Sequence, residues 1–355
     1  MEAAVNDSIW TGMARVSEFT GVDAGRFAGE VLPRNRPAVL RGLVGRWPAV
    51  AEAQRSPRAV ADYLRRFSNE QPATVFVGEP DIEGRFFYSE DLKGFNYEQQ
   101  AVPLGPLLTF ILQHLDDPRP PAIYAGAVYV PEHAPGLLAE HTMPLLDPSL
   151  QALPSLWVGN RTRIPAHWDL PQNIACVIAG RRRYTLFPAE QVANLYVGPL
   201  DFTPAGQAIS LVDFCKPDYA RFPRFREALA HAEVAELGPG DALYLPSLWF
   251  HHAESLDAFG LMLNYWWRTA PPYMFTPYIT MLHALLTIRD LPAAERERWR
   301  AFFDHYIFQT AGVPMEHVPM AARGAFATMT PEGARRLMTY LQESLRRQHA
   351  AAEKQ

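Results

Sequence analysis

Two residues of catalytic type stand two positions apart near the middle of the chain, His167 and Asp169. In an extended strand, residues two apart project from the same face, so this imidazole and this carboxylate could hold one ion together. Farther along, an apolar segment contains two adjacent histidines, His251 and His252. One of them, on a second strand, could complete a set of two histidines and one carboxylate that leaves other coordination positions open. That set is the signature of a non-heme Fe(II) oxygenase.

The spacing by itself is a weak signal, because it also occurs at His114 and Asp116. That second pair ends a helical pattern of leucines, where residues two apart do not share a face, and we interpret it as the end of a helix. Context favours the first pair, which follows a proline and precedes an apolar segment. The third ligand stays open at this point. Adjacent residues of a strand point to opposite faces, so alternation does not choose between His251 and His252.

The segments around these residues predict a mainly β protein with flanking helices. Short apolar segments that end at Gly or Pro predict strands near 38–43, 73–77, 122–126, 155–159, 173–178, 183–187, 242–245, 251–256 and 261–267. Apolar residues at helical spacing predict helices at 57–67, 105–115, 273–288, 293–308 and from Thr330 onward. Many short strands without alternating helices indicate an antiparallel sandwich or barrel rather than a parallel α/β sheet.

The order of these segments predicts three parts. Residues 1–120 form an N-terminal α/β segment that buttresses the core. Residues 121–270 form the catalytic core, which an irregular insertion at about 190–232 interrupts, and residues 271–355 form a C-terminal helical segment. The last helix carries an apolar stripe that either packs on its own domain or mediates a homodimer. The stripe consists of Leu337, Leu341 and Leu345.

Composition excludes several classes of protein. The net charge of −5 gives no electrostatic case for DNA binding. No segment approaches the roughly 18 to 20 consecutive apolar residues that a membrane span needs. The first residues, Met1 to Asp7, lack the basic and apolar regions of a signal peptide. Only two cysteines occur, too few for a disulfide framework. A cytoplasmic protein is therefore expected.

Blocks of sequence between about 155 and 270 resemble the JmjC-type, cupin-fold 2-oxoglutarate oxygenases, and most closely the asparaginyl hydroxylases of that family. The blocks are Pro165-Ala166-His167-Trp168-Asp169, Gly238-Pro239-Gly240-Asp241, Trp249-Phe250-His251-His252-Ala253-Glu254-Ser255-Leu256 and Asn264-Tyr265-Trp266. The resemblance implies a double-stranded β-helix, or jelly-roll, core. It also implies Fe(II) as the metal, 2-oxoglutarate as cosubstrate and O2 as oxidant. By the family pattern His251 is the third ligand, beside His167 and Asp169.

The resemblance also implies a cosubstrate pocket. Tyr124, Asn173 and Asn264 match a tyrosine and two asparagines that line the pocket in the family. Two positions depart from the asparaginyl hydroxylases. Arg182 stands where they have the lysine that binds the far carboxylate of 2-oxoglutarate, and Ile164 stands where they have a threonine. Arginine can also bind a carboxylate, through two parallel hydrogen bonds.

These features together predict an Fe(II)- and 2-oxoglutarate-dependent oxygenase that hydroxylates a C–H bond. The resemblance implies that the substrate is a protein or peptide side chain. A metal-dependent oxygenase that acts on a small molecule or a tRNA base is one alternative, and a non-catalytic, metal-binding cupin sensor is another. No DNA or membrane partner is expected, whereas a homodimer through the C-terminal helices is possible.

Overall fold

The computed structural model of the protein describes residues 9–204 and 206–352. The predicted absence of a signal peptide at Met1 to Asp7 therefore concerns residues outside the described part. The chain divides into two compact units, Met1–Arg268 and Thr269–Gln355. The first unit contains all the strands discussed below, and each unit is described by itself.

Two mainly antiparallel sheets form the first unit. The strands are β1 (Ala14–Arg15), β2 (Ser17–Thr20), β3 (Ala38–Arg41), β4 (Pro72–Gly78), β5 (Glu98–Pro103), β6 (Ala122–Tyr129), β7 (Leu153–Gly159), β8 (Arg163–His167), β9 (Gln172–Ala179), β10 (Arg182–Phe187), β11 (Glu233–Leu237), β12 (Ala242–Leu245), β13 (Phe250–Ser255) and β14 (Gly260–Trp267). A five-stranded sheet has the order β1-β11-β10-β13-β8, and a nine-stranded sheet has the order β2-β3-β12-β9-β14-β7-β6-β4-β5. This arrangement confirms the predicted jelly-roll class.

Helices flank the sheets. Those of the first unit are α1 (Ala24–Arg26), α2 (Pro48–Arg55), α3 (Pro57–Arg65), α4 (Leu104–Gln113), α5 (Val130–His133), α6 (Leu137–Glu140) and α7 (Phe225–Ala230). Those of the second unit are α8 (Pro277–Thr287), α9 (Ala293–Tyr306) and α10 (Pro331–Ala352). A π-helical turn covers Phe27–Val31, and 3-10 turns cover Leu32–Arg34, Pro80–Ile82, Pro148–Leu150, Ala189–Ala193, Met320–Ala322 and Gly324–Phe326. No helix in the described residues is long and apolar enough to cross a membrane.

The core between the two sheets is apolar in its middle. Alternate residues of β9 and β12 meet alternate residues of β10 there, because successive side chains of a strand point to opposite faces. One buried cluster contains Ala175, Val177 and Leu243 from the larger sheet and Tyr184 and Leu186 from the smaller one. Side chains of these strands that share the direction of this cluster therefore face the interior of the sandwich.

Each sheet also has a covered outer face. The outer face of the larger sheet packs against helices of the first 120 residues, including Val50 of α2 and Leu108 of α4. The outer face of the smaller sheet packs against the insertion at 190–232. That insertion, expected to be irregular, contains α7 and buries Phe214 and Phe225 against Phe187 of β10. Its aromatic residues explain why so long a connection is ordered.

The early strands extend the larger sheet at both ends. β2 and β3 join it next to β12, and β4 and β5 join it beyond β6. The parallel pairing of β2 with β3 and the antiparallel pairing of β4 with β6 place these residues in the same sheet as the core strands. Residues before 120 thus extend the larger sheet at both edges.

Candidate metal centre

Two histidines meet across the antiparallel pair β8–β13. His167, the last residue of β8, is opposite His251 of β13, and their ring centroids lie 4.2 Å apart. His251 is also opposite Leu186 of β10, which belongs to the core between the sheets. Directly opposed residues share a face, so both imidazoles face the interior of the sandwich. The two rings therefore form one side of an enclosed site.

A bulge in β8 gives His167 this direction. His251 is opposite His167, but Ala253 is opposite Ile164, so two residues of β8 stand against one of β13. One of these two residues is Pro165, which lacks a backbone N–H and is accepted where the ladder is interrupted. Without the bulge, alternation would carry the side chain of His167 to the other face of the sheet.

Asp169 completes the group although it lies two residues beyond the end of β8. Its carboxylate Oδ2 is 3.7 Å from Nε2 of His251. One ligand atom from each of His167, Asp169 and His251 lies within 4.8 Å of the others, and no other such group of three exists in the described residues. Because the strand has ended, a shared strand face does not explain this placement. The backbone N–H of Leu248 donates to the carbonyl of Asp169 at 2.9 Å and holds the loop.

The second of the adjacent histidines takes no part in this group. His252 is opposite Thr185 on the outer face of the sheet, where its ring stacks on Phe214 at 4.4 Å. Neither of its ring nitrogens has a hydrogen-bond partner in the described part of the chain. The pair His114 and Asp116 is also separate from the site. His114 follows α4, and its Nδ1 lies 3.3 Å from Asp117 rather than from Asp116.

Backbone carbonyls prepare both imidazoles to bind a metal. Nδ1 of His167 is 2.9 Å from the carbonyl of Pro165, and Nδ1 of His251 is 3.1 Å from that of Trp249. A carbonyl oxygen only accepts, so each Nδ1 carries the proton and each Nε2 presents its lone pair. Burial and the neighbouring His167 lower the pKa of His251 to about 4, so this ring is neutral near pH 7. Two neutral imidazoles and one carboxylate suit Fe(II).

Arg182 lies in the interior without an anionic partner. It is the first residue of β10, opposite Ser255, and its direction is that of Tyr184 and Leu186. Only 5% of its surface is exposed, and its Nε has no hydrogen-bond partner in the described residues. It forms no ion pair within 4.0 Å with any described carboxylate. A buried and unpaired cation is costly, so the position fits an added anion.

The charges of both Arg182 and Asp169 influence the hydroxyl group of Tyr124. Burial raises the pKa of Tyr124, the positive charge of Arg182 opposes this shift, and the negative charge of Asp169 adds to it. The ring of Tyr124 packs beside Phe86, and Ile164 packs against the same aromatic cluster. The residue that replaces the threonine of the resembled hydroxylases therefore contributes apolar contact here.

Asn173 and Asn264 form a chain of hydrogen bonds with a residue that the sequence reasoning missed. Trp157 Nε1 donates to Asn264 Oδ1 at 2.7 Å, and Asn264 Nδ2 donates to Asn173 Oδ1 at 3.0 Å. Trp157 also packs at 6.2 Å from Tyr124 and at 5.4 Å from Trp266, whose indole N–H is buried with no partner in the described residues. The sequence offered one signal for this residue, because a buried tryptophan on a strand needs a hydrogen-bond acceptor for its indole N–H.

We expect Asn264→Leu to lower the free energy of unfolding by about 2 to 4 kcal/mol. The substitution keeps the branched shape of the side chain but leaves Trp157 Nε1 and Asn173 Oδ1 without their partner, and each orphaned buried polar group costs about 1 to 3 kcal/mol. Asn264 is fully buried. Urea unfolding of wild type and variant measures the change. The exposed hydrogen bond from Asn69 to the carbonyl of Glu132 provides the control, because Asn69→Leu breaks it where water can replace it. An equal decrease in the free energy of unfolding in the two variants would contradict the importance of the buried hydrogen bonds of Asn264.

The comparisons with known proteins agree with the sandwich fold. The profile of the cupin-like domain family matches residues 24–273. The lysine-specific demethylase JMJ31 of Arabidopsis thaliana is 24% identical over 301 residues, which cover 75% of this chain and 53% of that protein. The chain thus spans about half the length of this relative.

Two further relatives are matched over more of their own length. The tRNA wybutosine-synthesizing protein 5 of Danio rerio is 25% identical over 280 residues, which cover 72% of this chain and 76% of that protein. The bifunctional peptidase and (3S)-lysyl hydroxylase JMJD7 of Homo sapiens is 24% identical over 265 residues, which cover 66% of this chain and 77% of that protein. The named activities of these relatives differ, so similarity alone does not select one substrate.

Proposed function

Because the chain belongs to the cupin-like domain family, we propose that it is an Fe(II)- and 2-oxoglutarate-dependent oxygenase that hydroxylates a protein or peptide side chain. One observation carries the proposal. Two buried imidazoles and one half-buried carboxylate, with both Nε2 atoms available, lie in the same interior as a buried guanidinium that has no carboxylate partner among the described residues. An oxygenase of this type needs both a metal and an anionic cosubstrate.

His167, Asp169 and His251 would hold the metal. Bound Fe(II), with O2 and 2-oxoglutarate, supplies the oxidising chemistry for a C–H bond. The protein holds each ring at a fixed tautomer through the carbonyls of Pro165 and Trp249. Both imidazoles are buried and Asp169 is half-buried, which limits the access of bulk water. Three protein ligands would leave three octahedral positions for other ligands.

Arg182 would bind the far carboxylate of 2-oxoglutarate. Its planar guanidinium can donate two parallel hydrogen bonds, which a lysine at this position could not do. Tyr124, Asn173 and Asn264 would supply neutral polar contacts along the same interior. The Asn173 amide is the one most able to donate, since its Nδ2 is not engaged with Asn264. The pocket therefore combines one cation with neutral donors and apolar walls.

A protein or peptide side chain is the substrate class that we favour. The sequence resembles asparaginyl hydroxylases, and two of the relatives are named for reactions at lysine, a demethylase and a (3S)-lysyl hydroxylase. Because another relative is named for tRNA wybutosine synthesis, a tRNA base is the alternative substrate. A metal-binding sensor without turnover is the second alternative, and the unpaired Arg182 counts against it because a sensor needs no cosubstrate cation.

The proposal is tested by turnover of 2-oxoglutarate. Protein purified without oxygen is loaded with Fe(II) and 2-oxoglutarate, and binding is followed by the visible charge-transfer absorption of the complex. Oxygen is then admitted with a peptide library, and succinate and peptide masses are measured. We expect succinate together with peptides heavier by one oxygen atom. Failure to bind 2-oxoglutarate would refute the proposal, and oxidation of tRNA but not of peptides would move it to the alternative substrate.

We also propose that the second unit forms a homodimer. Of the described residues from 269 onward, only Pro314 is buried. Within the described part of the chain, sixteen of the twenty exposed large apolar residues belong to this unit, including the stripe Leu337, Leu341 and Leu345 of α10. Monomeric proteins rarely leave large apolar surfaces uncovered. A second copy is the occupant that we favour, because a two-fold axis pairs one apolar stripe with the same stripe.

We expect Leu341→Glu to convert the dimer to a monomer. In a two-fold interface the substitution buries two carboxylates near each other, which is strongly unfavourable. Light scattering after size-exclusion chromatography gives the mass of wild type and variant. Val192→Glu is the control, since Val192 is 50% exposed and Leu341 is 49% exposed, but Val192 lies in the first unit. A monomeric wild type, or a dimeric Leu341→Glu variant, would contradict this proposal.

A further inference from the structure

A surface cavity of about 640 Å³ lies beside the start of β8, apart from the metal group. Its walls come from the connection between β4 and β5, from Arg163 of β8, and from the insertion near Asp213 and Lys216. The deepest charged groups are the guanidiniums of Arg85 and Arg163, whose side chains are only 19% and 14% exposed. The floor of the cavity is therefore positively charged.

The backbone fixes these two arginines side by side. Arg163 N donates to the carbonyl of Gly84 at 2.7 Å. Gly84 has a φ of +78°, and a Cβ there would lie 2.0 Å from the carbonyl oxygen of Arg161, so no other residue fits. The guanidinium of Arg85 also lies over the ring of Phe87 at 3.7 Å. The floor is thus rigid and preformed.

The protein neutralises only part of this positive charge. Both guanidiniums share the carboxylate of Asp213, at 3.8 Å from Arg85 and 3.7 Å from Arg163. On the rim, Lys216 lies 3.2 Å from Glu83, so that acid already has a cation at the surface. Glu83 also lies 3.5 Å from Nη2 of Arg163. The guanidiniums of Arg85 and Arg163 and the ammonium of Lys216 therefore face two carboxylates, those of Asp213 and Glu83, and these five groups carry a net charge of plus one.

Arg85 also retains unused hydrogen-bond donors. A guanidinium has five N–H groups. The protein acceptor of Arg85 in the described residues is the carbonyl of Leu211, at 3.3 Å from Nη2. Its distance to Asp213 exceeds that of a direct hydrogen bond. Burial and the adjacent Arg163 lower the pKa of Arg85, so an added anion would stabilise its charged form.

We propose that this cavity binds the carboxylate of an acidic side chain of the substrate, and the proposal rests on the peptide hydroxylase proposed above. A carboxylate matches the single uncompensated charge and the planar fork of Arg85, whereas a phosphate carries more charge than the floor offers. The aromatic Phe87 would contact the apolar part of the bound residue. The cavity thereby adds a recognition element outside the metal site.

The position of the cavity sets the spacing between the acidic residue and the modified residue. Arg163 and His167 are the first and last residues of β8. Four residues of strand span about 13 Å. Arg163 is opposite Glu254 and faces the outer side of the sheet, whereas His167 faces the interior, so a peptide that reaches both sites must pass the edge of β8. We therefore expect an aspartate or glutamate at least four positions from the residue that is hydroxylated.

Binding is tested first, without turnover. Ligand-observed saturation-transfer NMR measures N-acetyl-aspartate amide and N-acetyl-asparagine amide with the full chain near pH 7, and inorganic phosphate is measured as a competitor of the aspartate derivative. We expect the aspartate derivative to bind, the asparagine derivative to bind at least tenfold more weakly, and Arg85→Gln to weaken aspartate binding at least tenfold. Arg85→Lys should retain part of it. Arg34→Gln is the control, because Arg34 also lies over a phenylalanine, Phe19, but outside the cavity.

The outcomes separate this inference from the proposed activity. His167→Ala should leave binding of the aspartate derivative unchanged while it abolishes turnover. Among hydroxylated library peptides we expect an acidic residue at one fixed spacing of four or more positions from the modified residue, and its change to the amide should raise KM with little change in kcat. Equal binding of the aspartate and asparagine derivatives, tighter binding of phosphate, or hydroxylated peptides without acidic enrichment would overturn the inference. Binding without any turnover would retain the carboxylate site and refute the hydroxylase.

Discussion

His167→Ala is expected to abolish stoichiometric Fe(II) binding and to reduce succinate formation by about a thousandfold or more. The change removes one of three donors and leaves one imidazole and one carboxylate, which is too few to hold a metal in an open site. The contribution of a bound metal to catalysis is several kcal/mol, and a thousandfold corresponds to about 4 kcal/mol. Anaerobic titration with Fe(II) and succinate assays give the two measurements.

The chain provides a matched control for this experiment. His114→Ala removes the histidine of the other pair with the same spacing, at the end of α4. We expect normal Fe(II) binding and normal succinate formation in that variant. His252→Ala is a second control for Fe(II) binding, since His252 is next to His251 but faces the outer side of the sheet. If His167→Ala kept its Fe(II), or if His114→Ala lost it, the assignment of the metal group would be wrong.

The fold class could be predicted because the apolar segments are short and end at Gly or Pro. The strand predicted at 173–178 is Gln172–Ala179, the strand predicted at 261–267 is Gly260–Trp267, and the helix predicted at 57–67 is Pro57–Arg65. Several strands were not predicted because their alternation of apolar and polar residues is weak. Glu98–Pro103 is mostly exposed and polar, and Glu233–Leu237 mixes two acids with apolar residues, yet both pair as strands. Their partners, rather than their own residues, determine their conformation.

The candidate metal group shows where sequence periodicity stops being sufficient. His167 and Asp169 were expected to share a strand face, but β8 ends at His167 and Asp169 approaches His251 from a loop. The direction of His167 depends on a bulge at Pro165, which only the register with β13 reveals. Alternation also left His251 and His252 equivalent, whereas the neighbouring strand distinguishes their two faces. The pairing of strands that are distant in the sequence determines the directions of these side chains, and a local sequence pattern carries no information about that pairing.

Arg182→Gln is expected to have opposite effects on cosubstrate binding and on stability. The affinity for 2-oxoglutarate should fall by about 100-fold, or about 3 kcal/mol, because removing one partner of a buried charge pair costs about 2 to 5 kcal/mol. The free energy of unfolding without ligand should stay the same or rise. The substitution removes a buried cation that has no carboxylate within 4.0 Å in the described residues, and so removes a desolvation cost. Anaerobic 2-oxoglutarate titration and urea unfolding measure the two quantities.

The adjacent arginine separates cosubstrate binding from general damage to β10. Arg183 points to the outer face of the sheet, 3.2 Å from Glu236 and 3.8 Å from Glu254. Arg183→Gln should therefore lower the free energy of unfolding and leave the affinity for 2-oxoglutarate intact, the reverse of the result for Arg182. Arg182→Lys should recover part of the affinity, because it restores the positive charge without the bidentate fork. A decrease in stability together with unchanged affinity in Arg182→Gln would show that this cation serves the fold rather than the cosubstrate.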